Sequence, residues 1–177
     1  RVQRAFSVDT LSDLSRKLST DASHELQLAV MHAASTNHTY FFREIEVLQQ
    51  FRTTILPSLA QRDEIRIWSA ACSTGDEAYT LAIMIAEDYG LSALKRTAIL
   101  GTDISAPVAE QAEAGLFSEQ RLERVPADLR RKYFEPAGLA QYRIRQELRD
   151  CCTFRQMNLK TTPYPFRKAF QTVFCRN

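Results

Sequence analysis

The sequence predicts an α/β protein built on a doubly wound parallel sheet, and three observations carry that prediction. The apolar period changes from helical to strand-like at Ile65, and strand, turn, helix, strand and helix then follow in order up to Gly115. The first strand runs into a turn of small residues ahead of a long helix, the place where such sheets take ligands. An acidic residue, Asp103, ends the second strand.

The 177 residues, 45% hydrophobic and 25% charged, hold enough apolar material for one sizeable core. A net charge of +2 from 23 basic and 21 acidic side chains is too balanced to suggest a protein whose main partner is nucleic acid or an anionic membrane, so any basic surface is local. No apolar run approaches the ~20 residues of a membrane-spanning helix, and the opening R-V-Q-R-A-F-S-V-D-T lacks a signal-peptide core. A cytoplasmic protein is the expectation. Cys72, Cys151, Cys152 and Cys175 show no C-x-x-C spacing, and His24, His32 and His38 are distant, so the thiols read as reduced small hydrophobes.

Residues 1–36 are polar and helix-prone, with Leu11, Leu14 and Leu18 and then Leu26, Leu28, Val30 and Met31 among Ser, Asp, Lys and Gln, and no Gly or Pro to punctuate them. Two helices are expected, the first capped by Asp9 or Thr10 and the second by Thr20 or Asp21. This stretch reads as the remnant of a helical N-terminal unit, and residues 37–60 as a linker helix. There Phe42, Ile45, Leu48, Phe51, Ile55 and Leu59 form one stripe, interrupted at Pro57.

The sheet domain occupies 61–177. I-R-I-W-S-A (65–70) is the first strand, and a helix from Asp76 to Tyr89 places Ala78, Leu81, Ala82, Ile85 and Ala86 on one side before Gly90 stops it. A-I-L-G-T-D (98–103) is the second strand, and a helix from Ala106 to Ala114 closes at Gly115. Residues 117–149, with eight arginines and lysines, read as irregular to helical, a solvated charged face or one turned to an acidic partner. Strand-like runs at 152–158 and 171–177 bring the count to about four, and a doubly wound sheet usually has more. A C-terminally incomplete sheet is therefore expected.

The turn S-A-A-C-S-T-G-D-E-A-Y is not the G-x-G-x-x-G fingerprint, so its Ser69, Ala70, Ala71, Ser73 and Gly75 either make a tight turn or let a ligand approach the backbone. Glu77 either complements the helix dipole or holds a cationic group. Asp103 stands where such sheets bind ribose hydroxyls, with an N-cap for the next helix as its alternative and Ser105 competing for that cap. Asn37, Thr39 and Arg43, around Tyr40, Phe41 and Phe42, read as a capped helix start with core aromatics. No Ser–His–acid set, paired carboxylates or Walker loop is present in the sequence.

N-H-T-Y-F-F-R from Asn37, S-A-A-C-S-T-G-D-E-A-Y-T from Ser69, G-T-D-I from Gly101, M-N-L from Met157 and F-C-R-N up to Asn177 resemble, in order, the motifs of the CheR-type chemotaxis methyltransferases. The resemblance covers nearly the whole chain. It implies a Rossmann-like S-adenosylmethionine-dependent fold and methyl transfer to glutamates on the cytoplasmic helices of chemoreceptors, with S-adenosylhomocysteine as product. It places Asn37, Thr39, Arg43, Glu77, Asp103, Asn158, Leu159 and Asn177 at the cofactor, Arg43 near the reacting centre as the catalytic residue, Asp103 on the ribose, and Asn158 with Leu159 near the adenine. Asp76, Ala78 and Thr80 depart from the family's Glu, Pro and Ser. In the family, further strands, a tyrosine by the methyl group and, in some members, a β-subdomain gripping a receptor tail are expected beyond Asn177, and a basic N-terminal helix, here with Arg1 and Arg4, docks on the receptor. The alternatives are a non-catalytic cofactor- or receptor-binding module of the same fold and a nicotinamide-dependent oxidoreductase, which the absent glycine fingerprint disfavours.

Overall fold

A computed structural model describes residues 8–20, 23, 25–27, 29–30 and 39–176. The chain divides into two compact units, residues 1–37 and 38–177. In the first, Thr10 caps helix α1 (Leu11–Thr20) by accepting the Asp13 amide at 3.1 Å, one of the donors a helix start leaves unpaired. Residues 25–27 and 29–30 are also helical. Their start is held by Ser23, whose hydroxyl accepts the Leu26 amide at 3.2 Å. Thr20 does not take that cap, because it still belongs to α1 and its hydroxyl donates back to the Arg16 carbonyl at 2.9 Å. Asp21, Asn37, His38 and Asn177 lie outside the described residues, as do Arg1 and Arg4.

The second unit opens with α2 (Ile45–Gln50), a π-helical turn (Phe51–Ile55) and α3 (Leu56–Leu59). The expected apolar stripe breaks here: Leu48, Phe51, Leu56 and Leu59 are buried, whereas Ile45 and Ile55 are exposed. Pro57 is the cause, since it offers no amide and its ring crowds the carbonyl four residues back. The backbone widens so that the Leu56 amide reaches the Phe51 carbonyl five residues back, and Leu56 takes the inward place of Ile55.

In chain order the strands are β1 (Ile65–Ala70), β2 (Thr97–Asp103), β3 (Leu116–Ser118), β4 (Phe134–Pro136), β5 (Gln141–Ile144), β6 (Cys152–Gln156) and β7 (Thr172–Cys175). β6, β2, β1 and β7 form a parallel sheet in that order, which among parallel strands alone is the doubly wound 3-2-1-4. Helix α4 (Asp76–Tyr89) buries Ala78, Leu81, Ala82, Ile83 and Ile85, and ends at Gly90 with φ 77°. After the short α5 (Leu91–Leu94) and β2, helix α6 (Ala106–Ala114) ends at Gly115, φ 61°. Side chains alternate across a strand. Ile65 and Ile67 are fully buried on one face of β1, and Trp68 on the other is met edge-on by Tyr164 and Phe166.

One expectation fails between residues 117 and 149. That stretch is not merely irregular to helical: β3, β5 and β4 form a separate antiparallel sheet in that order, joined by a 3-10 turn (Glu119–Leu122) and helix α7 (Ala127–Tyr133) and followed by α8 (Gln146–Asp150). The inserted sheet therefore lies ahead of Asn177, between α6 and β6. Cys72, Cys151 and Cys152 are buried free thiols, but Cys175 is exposed on β7 and is no core residue.

Candidate functional site

The direction of winding reverses at β1, between β2 on one side and β7 on the other, and a crevice forms beyond the carboxyl ends of strands at such a switch point. Asp103, Glu77 and Arg176 converge there. Asp103, 7% exposed, accepts the Ser73 amide at 2.9 Å on one carboxylate oxygen and the Ser105 amide at 3.0 Å on the other. It is not the cap of α6; Ser105 occupies that position. The carboxylate instead ties the end of β2 to the loop after β1, and each oxygen has a further lone pair for a hydroxyl donor.

Glu77 does more than complement the helix dipole. Ser69 on β1 donates its hydroxyl to one Glu77 oxygen at 2.6 Å, and Arg176, just past β7, donates Nε to the other at 2.6 Å. The two side chains are only 11% and 12% exposed, so the pair is well shielded from water. Arg176 also donates to the Arg43 carbonyl at 2.9 Å and to the Glu44 carboxylate at 3.1 Å. A single guanidinium thus holds α4, β7 and the segment before α2 together.

The loop from Ala71 to Gly75 has three residues in the left-handed region, Ala71 (φ 61°), Ser73 (φ 50°) and Gly75 (φ 86°). Two of them carry a Cβ and cost energy there. The loop keeps this shape because the Cys72 amide donates to the Thr102 carbonyl at 2.8 Å and the Gly75 amide to the Cys72 carbonyl at 3.0 Å. Gly75 serves packing: a Cβ there would lie 2.9 Å from that of Ala112 and 3.1 Å from the Phe154 ring. Burial, with Asp103 close by, pushes the Cys72 thiol above its ordinary range, which keeps it protonated and unfit as a nucleophile at neutral pH.

The aromatic segment does not begin a capped helix. Glu44 precedes α2 in a left-handed conformation with no side-chain cap bond. Phe41 is buried against Phe117 of β3 and Phe134 of β4, with ring centroids at 4.9 and 5.3 Å. The Phe42 amide donates to the Thr80 hydroxyl at 3.2 Å, and that hydroxyl donates to the Asp76 carbonyl at 2.6 Å. Thr39 and Arg43 are half-buried, and the Arg43 guanidinium lies 5.9 Å from the Tyr40 ring centroid.

After β6 the Met157 amide donates to the Asp103 carbonyl at 2.7 Å, which brings Asn158 and Leu159 alongside the end of β2. The Asn158 side chain accepts the Lys160 amide at 2.9 Å, and the Leu159 carbonyl accepts the Tyr164 hydroxyl at 2.7 Å. Two groupings result: Arg43 with Glu77 through Arg176, and Asp103 with the Asn158–Leu159 segment. Arg176 is the participant that sequence reasoning passed over, while Ser69, read there only as a small turn residue, takes part through its hydroxyl. Arg176 stands inside the F-C-R-N run whose asparagine was singled out, and its reach to Glu77, 99 positions away, needs the fold to be seen.

These residues fit S-adenosylmethionine. Asp103 has acceptor capacity for ribose hydroxyls, and the Ser73 hydroxyl beside it is buried with no protein partner, a polar atom that a ligand would satisfy. Among the described residues no cluster of His, Cys, Asp and Glu is arranged to hold a metal, and no helix is long and apolar enough to cross a membrane.

Residues 37–177 match the family model described as CheR methyltransferase, SAM binding domain. A chemotaxis protein methyltransferase of Borreliella burgdorferi is 38% identical over 150 residues, covering 81% of this chain and 53% of its own length. One from Vibrio anguillarum is 35% identical over 97% of this chain and 64% of its own, and one from Salmonella typhimurium 33% identical over 98% and 60%. The chain thus spans little more than half to under two thirds of these relatives. The match over the whole sheet unit, joined to the crevice geometry, gives the conclusion that this chain belongs to the CheR methyltransferase family through its S-adenosylmethionine-binding domain.

Proposed function

We propose that the protein methylates glutamate side chains on the cytoplasmic helices of chemoreceptors, in chemotaxis signalling, forming glutamate methyl esters. The observation that supports this reading best is the convergence of Asp103, Glu77 and the Arg43 segment on the crevice where β1 meets β2 and β7. When bound, S-adenosylmethionine supplies a methyl group already activated by its sulfonium. A glutamate substrate, with a reference pKa near ~4.3, is ionised at neutral pH and needs no proton removed. The protein's work is alignment and exclusion of water.

In this reading Asp103 accepts the ribose hydroxyls, and Thr39, Asn158 and Leu159 border the cofactor, together with Asn37 and Asn177. Glu77, neutralised by Arg176, fixes the floor of the site. Arg43 is the catalytic residue, its guanidinium orienting the incoming carboxylate. Its backbone is held for that task by the Arg176 contact to its carbonyl.

The test is transfer of labelled methyl from S-adenosylmethionine to cytoplasmic chemoreceptor fragments, with release as methanol in base as the signature of an ester. Glutamate-to-glutamine receptor variants should lose the label at their changed positions, and Arg43→Ala should reduce transfer about 100-fold or more. Binding of the cofactor with no label transferred would favour a non-catalytic binding module of the same fold instead.

A further inference from the structure

Asp76 is fully buried, and a buried carboxylate survives only with a counter-charge and donors. It finds both in Arg121, whose terminal nitrogen donates to its two oxygens at 2.7 and 2.6 Å and to the Thr74 hydroxyl at 2.6 Å. The Thr74 hydroxyl in turn donates to Asp76 at 2.7 Å. Arg121 comes from the 3-10 turn that follows β3, so it reaches the loop from the inserted segment, 45 positions away in sequence.

Besides the Cys72 amide bond to the Thr102 carbonyl, the loop between β1 and α4 thus has two side-chain moorings. Its Ser73 end is tied to Asp103, and its Asp76 end to Arg121. Between them lie the left-handed Ser73 and Gly75 and the unpartnered Ser73 hydroxyl. A conformation that costs energy at a non-glycine residue persists only where its surroundings over-determine it. Asp76 also feeds the rest of the site: its carbonyl accepts Thr80, which accepts the Phe42 amide, and its neighbour Glu77 carries the Arg176 network.

We propose that Arg121 is a positioning residue for the cofactor. Through Asp76 and Thr74 it holds the loop between β1 and α4 in its binding shape, so that the inserted segment controls cofactor affinity without touching the cofactor. The proposal rests on the cofactor assignment above. Without Arg121 the buried Asp76 carboxylate loses its counter-charge and the loop loses its tie to the inserted segment, so it slackens between its two ends.

The experiment is calorimetric titration of the chain with S-adenosylhomocysteine, alongside hydrogen exchange on the ligand-free protein. Arg121→Met should weaken binding about tenfold and speed exchange of the Ser73 and Gly75 amides, leaving the β1 amides unchanged. Asp76→Asn added to it should cost less than about twofold more, because the two changes break one contact. Leu122→Ala truncates a fully buried neighbour; it should lower Tm yet keep affinity within about twofold, separating positioning from general stability. Should Arg121→Met fail to fold, Arg121→Lys decides: its single ammonium should retain part of the affinity, and full wild-type affinity with unchanged exchange overturns the proposal. Unchanged affinity in a folded Arg121→Met also overturns it and leaves the cofactor assignment standing. A wild-type chain that takes up no S-adenosylhomocysteine overturns both.

Discussion

Gly101, in the middle of β2, has no unusual backbone angle, yet of the glycines it is the one whose added Cβ would meet the closest contacts. A Cβ there would sit 2.5 and 2.6 Å from two atoms of the buried Phe154 ring and 3.0 Å from the Cys72 sulfur. Phe154 is buried and packs against Tyr79, with centroids 5.3 Å apart, so it must give way within the core. Gly101→Ala should therefore destabilise the protein by about 1–3 kcal/mol through overpacking, lowering Tm by about 2–4 °C for each kcal/mol. Cys72 belongs to the loop that Asp103 holds, so cofactor affinity should fall in the same variant. Thermal unfolding and titration on one sample check both, and a Tm within about 1 °C of wild type would show that the ring has room to move.

At the scale of elements, the last turn of α4 is fastened to α7 of the insert. Glu87 accepts the Lys132 ammonium at 2.6 Å and the Tyr133 hydroxyl at 2.7 Å. The Lys132 bond first, and then the Tyr133 bond, hold the Glu87 carboxyl below its ordinary 4.5. Burial and the same carboxylate push the Tyr133 phenol up to about 12. A depressed acid contributes stability that is complete above its unfolded value and is lost as pH falls through its lower folded value. Glu87→Gln should lower Tm by about 1–4 °C at pH 7, and the gap to wild type should close as the pH is taken from about 5 towards 3. A constant gap across that range would mean that Glu87 acts by packing and not by charge.

The same elements show what was legible in the sequence. β1, β2 and α4 are buried on wide faces, so their composition alone marks them, and their expected limits agree with the structure to within a residue. The inserted sheet was not legible because its strands are three or four residues long, mostly exposed, and include Pro136. Tertiary contacts form it, above all Phe117 and Phe134 closing on Phe41, and no local period records those. The π-turn before Pro57 escaped for a related reason: the proline was visible, but the way the backbone yields to it was not.

At the scale of the whole molecule, the site has no home in any single element. Ser69 belongs to β1, Glu77 to α4, Asp103 ends β2 and Arg176 follows β7, so three connections of the parallel sheet separate the first contributor from the last. The acids were found from the sequence because each sits at the end of a legible strand or start of a legible helix. The arginines that neutralise their region, Arg121 and Arg176, were not, because a surface arginine and a structural one look alike until the chain has folded. A site shared in this way cannot survive the opening of any one contributor, which couples ligand binding to global unfolding. S-adenosylhomocysteine at about 100 times its Kd should stabilise the protein by about 2.7 kcal/mol, which is about 5–11 °C in Tm for a chain of this size. Asp103→Ala should abolish the shift, and reduced nicotinamide dinucleotide should produce none with either protein. Scanning calorimetry over a series of ligand concentrations measures all of these. A Tm that rises with the nicotinamide and stays fixed with S-adenosylhomocysteine would reassign the crevice to hydride transfer, while a rise that persists in Asp103→Ala would move the ribose contact to another residue.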